Sequence, residues 1–308
     1  MNTPARLGLY GGGLVALFAV ALVVGGAVVP ESTVAAWSQT EGESMDGHGS
    51  ESTTASVRGV SLEQDGILLS AVSAPGEVGE AGTLSFGITM PDGVAVTAFE
   101  TAHDKELHLI VVRSDGALFR HVHPTMASDG TWSIPWTWEA AGSYRVFADF
   151  VPAASGEDVT LTRTVDVAGA LTPEPATAVS TTDTVDGYAV TLTGQLGTGA
   201  SSTLTATVTK DGEPVTELEP YLGAYGHLVA LREGDLAYLH VHPEGDEPVA
   251  GSTSGPVIEF MTQAPTPGRY LLYLDFQVDG VVRTAHFILD ATATPTGEAS
   301  GEAEHSGH

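Results

Sequence analysis

Short apolar runs separated by Gly, Pro and Asp recur along residues 57–169 of this chain. Several alternate between apolar and polar positions, and none has the 3.6-residue periodicity of an amphipathic helix. Seven such runs in about 100 residues is the spacing typical of an immunoglobulin-like β-sandwich. The predicted strands are Ile67–Val72, Thr83–Met90, Leu107–Val112, Ala117–Val122, Thr131–Trp138, Tyr144–Phe150 and Leu161–Val167.

Residues 184–291 carry the same kind of pattern. The predicted strands here are Tyr188–Thr193, Ser202–Thr209, His227–Leu231, Leu236–Val241, Pro256–Met261, Tyr270–Gln277 and Val281–Leu289. The expected fold class is therefore all-β, with two tandem immunoglobulin-like β-sandwich domains.

The two stretches are copies of one another. The His-Val-His-Pro segment that begins at His121 recurs at His240, and His108 recurs as His227, both at an offset of 119 residues. Farther along the chain the offset is 126, which indicates a seven-residue insertion in the second copy, near residues 245–254. Self-similarity of this kind indicates an internal duplication.

An uncharged run from Leu7 to Val29 follows Arg6. As a helix it would extend roughly 35 Å at 1.5 Å per residue, which is enough to cross a ~30 Å hydrocarbon core. We therefore expect residues 1–37 to form a signal anchor, a single-pass transmembrane helix in the cell membrane that places the remainder outside the cytoplasm. Secretion after cleavage of a signal peptide near Ala36 is the alternative, and it exports the same domains.

Three segments lack hydrophobic periodicity. They are an acidic tether at 38–56, a Pro- and Thr-containing linker at 170–183, and a His-bearing tail at 292–308. Sequences of this composition are typically extended or disordered.

The charge balance narrows the choice of partners. The chain has 11 Lys and Arg against 39 Asp and Glu, a net charge of −28, and it has no cysteine. Nucleic acid is not an expected partner, because a negative surface repels phosphate. The missing thiols exclude disulfides, thiolate zinc sites and blue-copper centres. The same charge attracts cations.

The first pair of histidine-bearing strands is joined by Asp115-Gly116, a strong two-residue hairpin signal. With that loop, residues whose numbers sum to 231 lie opposite each other, so His108 faces His123. His121 lies two residues earlier and points to the same face. Three imidazoles at these separations can converge on one metal ion.

In the second copy the predicted loop is Gly234-Asp235 and the sum is 469. His227 then faces His242, with His240 beside it. We therefore expect a three-His metal cluster in each repeat, holding about one ion each.

A carboxylate is expected beside each cluster. In a sandwich sheet of order G-F-C-C′, strand F runs antiparallel beside strand C, which brings Asp149 near His108 and Asp275 near His227. Each aspartate is predicted either as a fourth ligand or as the group that orients an imidazole. His103 has no counterpart in the second copy, and we expect it to be solvated or structural.

The alternative for the histidines is ordinary packing. His121 and His123 share their predicted face with apolar residues such as Ile110 and Phe119. Histidines that pack or sense pH would fit a non-metal adhesion or interaction module at the cell surface.

The paired His-Val-His-Pro segments resemble those of exported actinobacterial proteins, over residues 60–290. In fold and ligand class the chain also resembles the CopC-type extracytoplasmic copper carriers. Those carriers bind Cu(II) with the help of a His at the mature N-terminus, which has no match here. The resemblance implies metal handling, with copper ahead of zinc.

Together these features predict an extracytoplasmic protein that sequesters or delivers copper or zinc, with a membrane metal transporter as a possible partner. The membrane is contacted through the N-terminal helix only. A copper enzyme is the least favoured alternative, because no general base or substrate pocket is evident in the sequence.

Overall fold

The structure is a computed structural model and describes residues 57–239, 241–245, 247–249 and 251–293. Twenty β-strands and no α-helix occur in this part of the chain. None of the described residues forms a helix long and apolar enough to cross a membrane. The predicted anchor and tether lie outside the described residues, as does most of the predicted tail.

Nine strands form the first repeat: β1 (Glu63–Gln64), β2 (Ile67–Leu69), β3 (Gly82–Thr89), β4 (His108–Arg113), β5 (Arg120–Val122), β6 (Thr125–Met126), β7 (Thr131–Trp136), β8 (Gly142–Phe150) and β9 (Val159–Val167). They make two sheets, of order β1-β2-β3-β7-β6 and β5-β4-β8-β9. A core that includes Leu84, Leu109, Trp132 and Val146 lies between the sheets.

Eleven strands form the second repeat: β10 (Thr182–Val185), β11 (Tyr188–Gly194), β12 (Gly197–Thr198), β13 (Ser202–Lys210), β14 (Glu213–Pro214), β15 (His227–Arg232), β16 (Tyr238–Leu239), β17 (His242–Pro243), β18 (Val257–Thr262), β19 (Gly268–Val278) and β20 (Val281–Ala293). The sheets have the orders β10-β11-β13-β18-β17, with β14 beside β13, and β12-β20-β19-β15-β16.

The expected fold class is confirmed. Each of the fourteen predicted runs overlaps a strand, and six short strands were not predicted: β1, β6, β10, β12, β14 and β17. The predicted G-F-C-C′ order is present as β9-β8-β4-β5 and as β20-β19-β15-β16.

A tyrosine at the start of the F strand reinforces each sandwich. The Tyr144 hydroxyl donates to the carbonyl of Ala140 at 2.7 Å, and the Tyr270 hydroxyl donates to the carbonyl of Thr266 at 3.0 Å. A tyrosine that bonds back to the backbone a few residues upstream is a hallmark of immunoglobulin-like Greek-key sandwiches.

The β4–β5 hairpin has the predicted register. Ile110 pairs with His121 and Leu109 with Val122, so the numbers of opposed residues sum to 231, the register that sets His108 against His123. The register of the second hairpin is also as predicted, because Leu231 pairs with Tyr238.

The first turn, however, is not the expected two-residue loop. Gly116 donates its N–H to the Arg113 carbonyl at 2.8 Å and has a φ of +87°, but Asp115 is not left-handed. Arg113 and Ala117 flank a three-residue loop. Leu118, with a φ of +56°, then adds one extra residue to the returning strand. This bulge restores the register that the shorter loop would have given.

The second loop also differs from the expected Gly234-Asp235. It spans residues 233–236, because the N–H of Arg232 bonds to the carbonyl of Ala237 at 2.9 Å. The two loops therefore differ in length and conformation while the paired strands keep equivalent registers.

The two repeats pack against each other through the outer faces of the sheets that contain β4 and β15. β4 is buried at every position, because Leu109 and Val111 face the core of their own repeat while Ile110 and Val112 face the other repeat. The apolar contact consists of Ile110, Val112, Phe119 and Phe147 from the first repeat, and Val229, Leu231, Leu236, Tyr238, Leu271 and Tyr273 from the second.

The aromatic contacts across this interface are reciprocal. Phe119 stacks on Tyr273 with 3.9 Å between ring centroids, and Phe147 lies 5.9 Å from Tyr238. Phe119 and Tyr238 are equivalent positions of the two repeats, and so are Phe147 and Tyr273. The docked repeats therefore resemble an isologous dimer within one chain.

We expect Gly116→Ala to destabilise the protein more than Gly234→Ala. Both glycines have positive φ, so each substitution brings a backbone strain of about 1–3 kcal/mol. A Cβ on Gly116 would also overlap Leu271 in the other repeat, whereas a Cβ on Gly234 meets nothing within 4 Å. Urea unfolding of the two variants measures the difference, and equal losses would contradict the tight contact at Gly116.

Candidate functional site

The candidate site lies where the two outer sheet faces meet. In the first repeat, His108 on β4 pairs with Asp149 on β8, which pairs with Thr160 on β9. Directly opposed residues of an antiparallel pair share a face of the sheet. Each sandwich therefore presents a His-Asp-Thr row to the other repeat.

The corresponding row in the second repeat is His227, Asp275 and Thr284 on β15, β19 and β20. The predicted proximity of each aspartate to its own strand-C histidine is thus present as a backbone pairing.

Three histidines of the first repeat converge. Nδ1 of His108 lies 3.0 Å from Nε2 of His121 and 3.1 Å from Nε2 of His123. The three ligand atoms lie within 4.8 Å of one another. Nitrogens bound tetrahedrally at 2.0–2.1 Å from one ion are about 3.3 Å apart, so only small shifts separate this arrangement from a ligand set.

The hydrogen-bond partners fix which nitrogens carry hydrogen. Nε2 of His108 lies 3.0 Å from the Ala102 carbonyl, and Nδ1 of His121 lies 2.8 Å from Oδ2 of Asp275. Both partners are acceptors, so these two nitrogens are the donors. In the neutral rings, the nitrogens that face each other at 3.0 Å are then both acceptors. Two acceptors at this distance call for a proton or a metal ion between them.

A tight turn holds His108 in this tautomer. His103 and Asp104 have φ values of +50° and +60°, and Ala102 and Lys105 exchange both backbone hydrogen bonds. The turn aims the Ala102 carbonyl at the His108 ring.

The second repeat has the equivalent turn at Leu222-Gly223, where both residues have positive φ. There the carbonyl of Tyr221 lies 2.8 Å from Nε2 of His227. The structure thus conserves a carbonyl acceptor for the strand-C histidine in both repeats.

His227 lies near the first-repeat cluster. Its ring centroid is 6.4 Å from that of His121 and 5.1 Å from that of His103. A cavity of about 40 Å³ separates the two repeats here, lined by histidines of both together with Asp149 and Tyr238. Five histidines therefore gather at one place between the repeats: His103, His108, His121, His123 and His227.

The other predicted ligands of the second repeat are His240 and His242. His240 lies outside the described residues. His242 begins β17, whose backbone pairs with β18 in the opposite sheet and places His242 opposite Met261. The backbone pairs between β15 and β16 end at Ala230 and Leu239, so the expected placement of His227 opposite His242 stays a prediction. A metal ion in the second repeat stays a prediction.

Each aspartate has one hydrogen-bond partner in its own repeat and one in the other repeat. Asp275 bonds to His121 of the first repeat and accepts the Thr284 hydroxyl at 2.6 Å. Asp149 accepts the hydroxyls of Thr160 at 2.6 Å and of Tyr238 at 3.4 Å.

His103 was expected to be solvated or structural, and the structure places it beside the cluster. Its ring is half-buried, 6.1 Å from that of His108. Comparison of the copies could not find it, because the equivalent residue of the second repeat is Leu222.

Burial governs the protonation of the cluster. It lowers the pKa of His108 to about 4 and that of His123 to about 2, and the neighbouring His121 adds to both shifts. Burial likewise lowers the pKa of His227 to about 4. These imidazoles are neutral at pH 7, which is the form that binds metal.

Fold and site together define a class: an all-β protein of two docked sandwich repeats, with a buried imidazole cluster at their interface. The model of the family described as "Domain of unknown function (DUF8832)" matches residues 63–169 and again residues 183–293. The chain belongs to this family and carries two copies of its domain.

Solved structures with similar parts include adhesion proteins and an endo-fucoidan hydrolase. Invasin, a bacterial integrin-binding protein, is 14% identical over 75% of this chain, with a TM-score of 0.23, and the chain spans 40% of it. The ICAM-5 D1–D4 ectodomain fragment is 13% identical, with a TM-score of 0.21. The match covers 74% of this chain and 54% of the ICAM-5 fragment. These similarities are too low to bear on function. Comparison with curated proteins gave no match.

The metal-free protein is expected to lose stability as the pH falls from about 6.5 to about 4. His108 and His227 are each 7% exposed, and their folded-state pKa values lie below the unfolded value near 6.5. The unfolded chain therefore takes up protons first, and the stability present above pH 6.5 declines towards pH 4.

Each of these two histidines contributes on the order of 1–2 kcal/mol between pH 7 and pH 5. Urea unfolding in the presence of a chelator measures the slope, and His227→Gln should make it shallower. An unchanged slope would show that His227 titrates normally in the folded protein.

Proposed function

We propose that the protein binds a metal ion through Nδ1 of His108, Nε2 of His121 and Nε2 of His123. The observation that carries this proposal is the approach of two acceptor nitrogens, Nδ1 of His108 and Nε2 of His121, to 3.0 Å while the outer nitrogens of both rings donate elsewhere. Buried lone pairs that face each other need a proton or a metal ion between them, since an unpaired buried polar atom is costly.

Copper or zinc is the proposed ion. Imidazole suits both metals, and Cu²⁺ binds more tightly than Zn²⁺ at nitrogen sites of this kind. Three protein ligands leave a coordination position open for exchange. That arrangement supports uptake and transfer of an ion, so we propose sequestration or delivery rather than catalysis.

The proposed setting is the outer side of the cell membrane, with the run from Leu7 to Val29 as the anchor and a membrane metal transporter as a partner. The net charge of −28 would concentrate cations near the domains. The resemblance to CopC-type carriers agrees with this proposal.

The full-length chain should bind Zn²⁺ or Cu²⁺ tightly, and His123→Gln should weaken one site by more than ~100-fold. Loss of a ligand should exceed the 10- to 100-fold effect typical of losing a group that only orients one. Elemental analysis of the purified chain and titration calorimetry measure the ion content and the Kd.

The matched control is His286→Gln, which removes an exposed histidine on β20 that lies outside the cluster. Its affinity should equal that of the unaltered chain. If the unaltered chain and His123→Gln bind equal metal, the triad is not the site, and the interaction-module alternative becomes the better interpretation.

A further inference from the structure

We propose that Asp275 of the second repeat is a positioning residue for the metal site of the first repeat, so that this site is complete only when the repeats are docked. This inference rests on the proposed metal binding and adds its dependence on the interface.

The contact between Asp275 and His121 is buried and well defined. Oδ2 of Asp275 lies 2.8 Å from Nδ1 of His121, and the two side chains are 4% and 5% exposed. Oδ1 accepts the hydroxyl of Thr284 at 2.6 Å. Thr284 therefore holds the carboxylate from its own sheet while the second oxygen reaches across to the other repeat.

The contact with Asp275 determines which ring nitrogen of His121 can bind a metal ion. With its hydrogen on Nδ1, the ring presents the lone pair of Nε2 towards His108 and His123. A carboxylate behind a ligating imidazole also raises its basicity and fixes the ring orientation. Without Asp275, the hydrogen is free to move to Nε2, which cannot then bind the ion.

The aspartate on the first repeat's own sheet does not take this role. Asp149 lies opposite His108 in the β4–β8 ladder, yet its carboxylate accepts the hydroxyls of Thr160 and Tyr238. The carboxylate that bonds to a triad imidazole is thus the one on the other repeat.

A second contact across the interface lies beside the one between His121 and Asp275. Phe119 lies two residues before His121, and Tyr273 lies two residues before Asp275, so each pair shares a face. The stack of Phe119 on Tyr273 at 3.9 Å therefore aligns the strands that bring His121 and Asp275 together. Since bound metal favours this alignment, metal binding and docking stabilise each other.

The test uses the full-length chain carrying His240→Gln and His242→Gln, which removes two of the three predicted ligands of the second repeat. In this parent, Asp275→Asn should weaken Zn²⁺ binding by about 10- to 100-fold, the usual effect of losing a carboxylate behind a ligating histidine. The matched control, Asp149→Asn, should change the Kd by less than about threefold. Competition titration with a chelator measures both values.

A second measurement separates positioning from general structural damage. ¹⁵N NMR of the metal-free parent should show His121 with its hydrogen on Nδ1, and Asp275→Asn should populate the Nε2–H form. Should Asp275→Asn fail to fold, Thr284→Val takes its place, since it frees the same carboxylate, with Thr160→Val as its control. Thr284→Val should then weaken Zn²⁺ binding and Thr160→Val should not.

The results distinguish the two proposals. A parent that binds neither Zn²⁺ nor Cu²⁺ overturns the proposed function and this inference together. A parent that binds Zn²⁺, with Asp149→Asn weakening it as much as or more than Asp275→Asn, overturns only the role of Asp275. An unchanged His121 tautomer in Asp275→Asn does the same.

Discussion

Burial of both faces of β4 and β15 is the constraint on which the rest of the structure depends. One face of each strand lies on the core of its own sandwich, and the other face is covered by the opposite repeat. That second face begins with a histidine, at His108 and at His227. Docking therefore removes these imidazoles from water at the same time as it buries their apolar neighbours. A group buried in this way must find partners within the protein.

Those partners come from local turns and from the opposite repeat. The Ala102 and Tyr221 carbonyls accept from the strand-C histidines, and Asp275 accepts from His121. Each contact uses the outer nitrogen of its ring. The inner nitrogens of His108 and His121 remain as acceptors, and burial holds the pKa of His108 at about 4 so that protons occupy it poorly at neutral pH. Burial at the apolar interface thus leaves facing acceptor nitrogens that a metal ion would satisfy.

Most of the fold could be predicted from the sequence, because alternation of apolar residues fixes which face of a strand is buried. The register of His108 against His123 was correct although the loop at Gly116 was not, since the bulge at Leu118 compensates for the longer loop. The docking of the repeats was not predicted. The apolar residues Ile110 and Val112 indicate that this face of the strand is buried, but the sequence pattern does not show which distant surface covers it. For the same reason the contact between His121 and Asp275 had no signal in either copy alone.

The duplication explains why the site lies between the copies. Two copies of one surface can pack reciprocally, and the aromatic pairs Phe119–Tyr273 and Phe147–Tyr238 show that arrangement. Reciprocal packing places a residue of one copy against a non-equivalent residue of the other, so Asp275 meets His121. The copies have also diverged, since Tyr273 and Tyr238 of the second copy replace phenylalanines of the first. Their hydroxyls donate to the Gly116 carbonyl and to Asp149. Under the proposed metal binding, divergence around a shared interface would let one half supply the ligands while the other half orients them.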